Sequence, residues 1–155
     1  MRLFIFLALM GLPVQAMALS CMRPSVERTF NEIHAAAEEY IAVEGRLTLN
    51  TRKLPRSHSN NQRPPELTRI RAKLSGTSLS HAGFKVPFDR EITLNVSCFG
   101  PWCGSAQNGE QVLAFLKRQN GGYSLDINPC GGHVFSNPRP AMLKKVTRCM
   151  RRGNC

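Results

Sequence analysis

The sequence is poor in acidic residues and in aromatic residues. Ten Asp and Glu residues stand against 21 Lys and Arg residues, so the formal net charge is +11. A surplus of this size favours acidic partners, such as an acidic protein, a glycan or an envelope surface. One Trp and two Tyr accompany eight Phe residues. Because binders of single-stranded nucleic acid need stacking platforms as well as charge, nucleic acid is not the expected partner.

Sequence motifs of catalysis are also missing. There is no Gly-x-Ser-x-Gly elbow, no His-Glu-x-x-His pair and no phosphate-binding loop. Glu38 and Glu39 are neighbouring carboxylates at the expected end of a helix, and we interpret both as solvated. No acid–base pair is therefore indicated, and we expect neither enzymatic activity nor a bound cofactor.

The longest apolar run covers residues 3–14, which is too short for a comfortable membrane span. Arg2 precedes this run and small residues follow it, which is the layout of a secretory signal peptide. Cleavage is expected after Ala18, and cleavage after Ser20 is the alternative. The second site would make Cys21 the first residue, and a lipid anchor at Cys21 is a further, weaker alternative. We therefore expect a secreted or periplasmic protein, with one domain over residues 19–155 and no transmembrane span.

All six cysteines follow the predicted signal peptide. An even number in an exported chain indicates disulfides, and six cysteines allow 15 complete pairings between which the sequence does not choose. A zinc site is the alternative, since the spacing of four residues fits a tetrahedral ligand set, namely Cys98, Cys103, Cys130 and His133. An oxidising compartment favours bridges over thiolate ligands. The expected disulfide residues are Cys21, Cys98, Cys103, Cys130, Cys149 and Cys155.

Hydrophobic periodicity predicts a mostly β protein with a helix at each end. The predicted helices cover residues 24–38 and 140–150, and the predicted strands cover 40–49, 67–74, 91–98, 111–117 and 123–127. An Asn-Gly-Gly turn joins the last two strands as a hairpin. Five short strands that close into a small barrel leave no exposed sheet edge, and the OB fold is the common solution. A two-layer α+β sandwich is the alternative.

Two polar segments carry clustered positive charge. Residues 51–66 contain three prolines and almost no apolar residue, so we predict an exposed loop with Arg52, Lys53 and Arg56 in it. The strand over residues 67–74 alternates between apolar and basic residues and so has one cationic face. Trp102, the only Trp, is interpreted as a packing residue over the disulfides. An exposed anchor in a binding loop is the alternative interpretation of Trp102.

Several short motifs resemble the netrin-type module of the tissue inhibitors of metalloproteinases, an OB-fold family. They are Glu39-Tyr-Ile-Ala-Val-Glu-Gly-Arg-Leu, Cys103-Gly104, Gly109-Glu-Gln-Val-Leu-Ala-Phe-Leu, the Asn-Gly-Gly turn and Tyr123-Ser-Leu-Asp-Ile-Asn-Pro-Cys130. The resemblance covers most of residues 21–135. The segment Phe-Gly-Pro-Trp-Cys-Gly is similar to bacterial secreted members of this group, to which no role is assigned.

In the inhibitors, the first residue is a Cys whose amine and carbonyl chelate the protease zinc, and whose thiol is bridged to the Cys of the Cys-Gly motif. The resemblance therefore implies a disulfide between Cys21 and either Cys98 or Cys103. The chain departs from the family pattern because Met22 and Arg23 follow Cys21 where the inhibitors have Cys-x-Cys. A mature chain that begins at Leu19 would also block the chelating amine.

The expected function is that of an exported, non-catalytic binding domain with a disulfide-stabilised, netrin-like OB fold. A metalloprotease inhibitor that acts through Cys21 is one alternative. A zinc-binding protein or hydrolase with an unrecognised site is the other. The residues predicted to contact a partner are Cys21, Met22, Arg52, Lys53, Arg56 and Trp102.

Overall fold

A computed structural model describes residues 19–56, 64–119 and 121–155 of the chain. These residues form two α-helices, α1 (Val26–Ala35) and α2 (Pro140–Arg152), and a short 3₁₀ helix (Thr51–Lys53). Their strands are β1 (Tyr40–Leu49), β2 (Leu67–Ser80), β3 (Gly83–Phe99), β4 (Trp102–Cys103), β5 (Glu110–Gln119), β6 (Gly122–Ile127) and β7 (Val134–Ser136). The prediction of a mostly β protein with a helix at each end is confirmed.

Five of the strands close into a ring. Their order is β1-β2-β3-β6-β5, and β5 pairs with β1 to complete the circuit. The neighbours are antiparallel except for β3 and β6, which run parallel from Thr93 opposite Ser124 to Val96 opposite Ile127. The two short strands lie outside the circuit, with β4 paired to the end of β3 and β7 paired to β5. Closure satisfies the backbone edges that an open sheet would expose.

Two apolar layers stabilise this arrangement. The first fills the ring with the inward residues of all five strands, and Leu47, Leu74 and Leu94 are fully buried in it. The second lies between the outer face of the ring and the two helices, where Phe115 of β5 packs among residues that include Phe30 and Val146. The outer face of β1 and β5 is therefore covered by helices.

Strands β1 and β2 approach each other closely at a pair of glycines. Gly45 in β1 lies opposite Gly76 in β2. A Cβ atom on either glycine would collide with backbone atoms of the other strand. Only the absence of a side chain at both positions lets the two strands meet here.

The structure corrects the predicted bounds of several elements. Helix α1 begins after the N-cap Ser25 and ends at Ala35, three residues before the predicted end. The segment that follows is drawn to β5 instead, since Glu38 and Glu39 form ion pairs with Lys117 and Arg118. Strands β2 and β3 form one long hairpin that extends well beyond the predicted strands, to Ser80 and back to Gly83.

Some sequence predictions lie outside the described residues. They are the signal peptide over residues 1–18, the central part of the predicted loop (57–63) and position 120 of the predicted hairpin turn. The helices of the described part are all too short or too polar to cross a bilayer. The three disulfides described below are compatible with a secreted or periplasmic location.

Candidate functional site

The residues predicted to contact a partner lie at one end of the ring. At this end β1, β3 and β6 finish and β2 and β5 begin, as the pairing registers require. We call this end the rim; its described segments are residues 50–56, 64–66, 98–104 and 128–133. The structure thus gathers side chains that are up to 109 residues apart in the sequence.

A disulfide-closed hairpin forms one part of the rim. Cys98 ends the buried part of β3 and is bonded to Cys103, directly opposite it in β4. The amide of Gly104 donates to the Ser97 carbonyl at 2.9 Å, and a Cβ on Gly104 would press against the backbone of Asn128. The hairpin is therefore seated firmly on the end of β6, so the loop between the two cysteines has little freedom to move.

This hairpin presents apolar side chains to solvent. Phe99 and Trp102 are cross-strand partners, and their side chains are 44% and 36% exposed. Leu67 at the start of β2 is 43% exposed and lies opposite Ser97, two residues from Phe99 on the same outer face. We call Leu67, Phe99 and Trp102 the aromatic tip. The exposure of Trp102 fits the predicted anchor better than the predicted packing residue.

The other disulfides differ from the pairing that the family resemblance implied. Cys21 is bonded to Cys130, and not to Cys98 or Cys103, which are bonded to each other. The third disulfide joins Cys149 in α2 to Cys155. All six cysteines are paired as predicted, but the implied partner of Cys21 is wrong.

The chain around Cys21 is held at the rim by the bond to Cys130. Met22 is 74% exposed there, and an Arg28 guanidinium nitrogen lies 3.2 Å from its sulfur. The other terminal nitrogen of Arg28 donates to the carbonyl of Arg23 at 2.7 Å. Leu19 and Ser20 precede Cys21 in the described chain.

The predicted cationic loop begins with the 3₁₀ helix. The Asn50 side chain caps it by accepting from the Arg52 amide at 3.1 Å, and Leu54 packs back against the interior of the ring. Arg52, Lys53 and Arg56 are exposed. The structure places this part of the loop at the rim, as an extension of β1.

A row of cations runs from the aromatic tip along the outer face of β2. Arg69, Arg71 and Lys73 alternate with buried residues and are exposed. We call these three residues the cationic stripe. Lys73 pairs with Asp89 at 3.0 Å, whereas Arg69 and Arg71 form no ion pair within the described residues. Their cross-strand partners in β3 are the neutral side chains of Asn95 and Thr93.

Several carboxylates of the chain form ion pairs on the helix-covered side of the ring. A hydrogen bond from Lys145 is the main cause that lowers the pKa of Glu27 to about 2, and this pair joins α1 to α2. Hydrogen bonding to Lys117 is likewise the main reason that the pKa of Glu38 is lowered. Because these acids are paired on the helix-covered side, they do not neutralise the cationic stripe.

The predicted zinc set is not assembled as a set of thiolates. Cys98, Cys103 and Cys130 are all in disulfides, and a disulfide sulfur is not the deprotonated ligand that zinc requires. His133 instead packs edge-on against Tyr40, with ring centroids 5.5 Å apart. Within the part of the chain that the structure describes, no group of three or more potential ligands converges.

A small polar cluster lies beside the cationic stripe, on the neighbouring strands β3 and β6. The Asn95 amide donates to the Asp126 carboxylate at 2.6 Å. Three buried polar atoms have no hydrogen-bond partner within the described residues, namely Asn95 Oδ1, Ser124 Oγ and His133 Nδ1. Among the described residues, no hydrogen bond joins Ser124 Oγ to His133 or to Asp126.

Sequence reasoning missed Leu67 and Phe99 as surface residues. Phe99 follows Ser97 on the outward parity of β3, and this parity was the available signal. Its apolar character favoured a buried interpretation, since exposure depends on the short β4 partner. Comparison of the chain with family models, with curated proteins and with solved structures finds no match.

Proposed function

We propose that this chain is an exported, non-catalytic binding module with a netrin-like OB fold, whose cationic stripe binds an acidic partner. A closed, five-stranded arrangement with β1 paired to both β2 and β5 supports the OB assignment. The outer face of β2 and β3 is exposed next to the rim, whereas α2 packs against the far end of the two strands, and this exposure supports the assignment of the binding surface. In OB folds the face formed by the second and third strands, with the loop before them, contacts ligands.

The observation that carries the proposal is the pair Arg69 and Arg71. Both guanidinium groups are exposed and face solvent without a carboxylate partner among the described residues. Arg presents several donors in a planar fork, which suits carboxylate, sulfate and phosphate groups. Arg52 and Lys53 add positive charge at the same rim. The resulting field attracts acidic molecules and raises their association rate.

The disulfide pairing gives no support to the alternative of a metalloprotease inhibitor. In that family the thiol of the first Cys is bridged to the Cys of the Cys-Gly motif, and here Cys103 is bridged to Cys98 instead. The zinc alternative loses its thiolates for the reason given above. We therefore put forward the binding module alone.

The test uses dextran sulfate as a soluble acidic polymer. The variant Arg69→Gln/Arg71→Gln is compared with Lys85→Gln/Lys144→Gln, which removes the same charge from exposed positions elsewhere. We expect binding by the native protein that weakens as salt is raised, since salt screens exposed charges. The first variant should lose about tenfold or more in affinity, and the second about twofold, because each lost ionic contact contributes roughly 1 kcal/mol.

Equal losses in the two variants would contradict a localised face, since they would show that net charge alone governs binding. The intact mass of the exported product, before and after reduction, tests the rest of the proposal. A mass that retains residues 1–18 would contradict cleavage of a signal peptide.

A further inference from the structure

The aromatic tip is a group of adjacent apolar side chains, not a set of scattered ones. Exposed apolar residues that occur singly are normal on protein surfaces, whereas contiguous ones mark interaction sites. Phe99 faces Trp102 across the β3–β4 pair, and Leu67 is a diagonal neighbour of Phe99 across the β2–β3 pair. Cross-strand partners share a face, so the three side chains lie side by side.

The tip is held rigidly. The Cys98–Cys103 disulfide closes the hairpin at its base, and the Cys98 amide donates to the Glu66 carbonyl at 2.9 Å, which fixes the start of β2 beside it. A surface that is already ordered loses little conformational entropy when it binds. The tip is therefore preorganised to meet a partner.

The cationic stripe continues directly from the tip. Arg69 is two residues from Leu67 on the same face of β2, which places its Cα about 7 Å further along the strand. Arg71 follows by another ~7 Å. The carboxylates on this outer face are Asp89, which pairs with Lys73 at 3.0 Å, Glu91, which lies opposite Lys73, and Asp126, which accepts a hydrogen bond from Asn95. Asp89 and Glu91 lie at the Lys73 end of the stripe, whereas Arg69 and Arg71 face the neutral side chains of Asn95 and Thr93 nearer the tip.

We propose that the aromatic tip inserts into the headgroup region of an anionic lipid bilayer while Arg69 and Arg71 bind lipid phosphates. This inference rests on the proposed function, because it names the acidic partner of the same face. Apolar groups of interfacial anchors enter a bilayer by about 5–10 Å, which matches the distance from the tip to the first cation. Trp is favoured at this depth, and cations near the surface strengthen binding to anionic lipid.

The single Trp of the chain makes the proposal directly measurable. Trp102 belongs to the tip, so its fluorescence reports whether the tip leaves water. We expect a blue shift of Trp102 emission, together with co-sedimentation, on addition of vesicles that contain phosphatidylglycerol. Vesicles of phosphatidylcholine alone should give neither, because both the apolar and the ionic contacts are needed for stable binding.

Two matched pairs of variants distinguish insertion of the aromatic tip from non-specific adsorption to vesicles. Phe99→Ala should weaken binding to phosphatidylglycerol vesicles about tenfold. Val86→Ala is its control on the same strand, since Val86 is 49% exposed but lies near the start of β3, at the opposite end of the ring. Arg69→Gln/Arg71→Gln should weaken binding by roughly fivefold for each cation removed, and Lys85→Gln/Lys144→Gln should not.

Three outcomes would overturn the inference. If dextran sulfate binds but phosphatidylglycerol vesicles leave Trp102 emission unchanged, the acidic partner is soluble, and the proposed function survives without membrane docking. If neither probe binds, both proposals fail. If vesicles bind but Phe99→Ala and Val86→Ala behave alike, the tip does not insert.

Discussion

The outward side chains on the two sides of the ring differ in their exposure to solvent. On the side formed by β1 and β5, the outward residues Ala42 and Phe115 are buried under the two helices. On the side formed by β2 and β3, the outward residues near the rim face solvent, and they include the cationic stripe and the apolar residues of the aromatic tip. The same β framework therefore has one side buried against the helices and another side whose surface near the rim is exposed.

Three of the four ion pairs among the described residues lie on the covered side, and the fourth joins Lys73 to Asp89 on the uncovered side. Glu27 and Glu38 pair with Lys145 and Lys117 and so fix the helical layer to the ring. The cationic stripe retains two guanidinium groups without carboxylate partners among the described residues.

Removal of disulfides should show the largest difference between the two sides. The Cys21–Cys130 bond anchors the covering layer and spans 109 residues, whereas the Cys98–Cys103 bond on the uncovered side spans 5. On the chain-entropy treatment, loss of the long bridge costs about 4–5 kcal/mol and loss of the short one about 2 kcal/mol. Urea unfolding of Cys21→Ala/Cys130→Ala and of Cys98→Ala/Cys103→Ala measures both values. Equal losses would show that loop length does not govern their contributions.

Truncation of Phe115 should show the next largest difference in stability between the two sides. Phe115 is fully buried and packs against Phe135, with ring centroids 6.2 Å apart. Phe115→Ala should lower the free energy of unfolding by about 3–5 kcal/mol, because it leaves a cavity between the ring and the helices. Thr93→Ala on the outer face of β3 is the control, and it should change stability by about 0.5 kcal/mol or less. Similar losses of unfolding free energy in the two variants, measured by urea unfolding, would contradict the difference between the two sides.

Acid should weaken the covering layer through Glu27. The pKa of this carboxyl is lowered from 4.5 to about 2, mainly by its hydrogen bond to Lys145. The native state therefore gains stability from the ionised form above pH 4.5, and it loses this gain as the pH falls towards 2. Because the Glu27 side chain is 38% exposed, solvent screening limits the contribution to about 1 kcal/mol or less.

Glu27→Gln tests this dependence. The difference in unfolding free energy between the native chain and the variant should be present at pH 7 and should disappear towards pH 2. Glu32→Gln is the control, since Glu32 lies exposed on the same helix without an ion pair among the described residues. A difference that persists unchanged at low pH would exclude the ion pair as its source.

The sequence predicted elements whose pattern is local. Strands β5 and β6 and helix α2 follow from their local apolar patterns, although β5 is buried on both faces, against the ring interior and against the helices. The first half of β3 was missed although Phe84, Val86 and Phe88 alternate with polar residues. Pro87 lies within this segment, and it is tolerated because β6 pairs with β3 only from Thr93 onwards.

The site was harder to predict than the fold, because it depends on contacts between distant segments. The pairing of Cys21 with Cys130 is one of 15 arrangements that the composition allows, and the family resemblance favoured a different one. The alternation of basic and apolar residues in β2 predicted its cationic face. The sequence did not predict that this face continues into Phe99 and Trp102, because the register of β2 on β3 brings them together.

The smallest expected effect is a gain in stability on the uncovered side. Arg69 and Arg71 lie about 7 Å apart on one face of β2, a separation at which like charges repel. Arg71→Gln should therefore raise the free energy of unfolding by a few tenths of a kcal/mol at about 0.01 M salt, where the Debye length is about 30 Å. At about 1 M salt the Debye length falls to about 3 Å, and the gain should vanish. Urea unfolding at the two salt concentrations, with Lys144→Gln as control, measures it. A loss of stability at low salt would show that Arg71 contributes to folding, and the division between a stabilising side and a recognising side would then not hold.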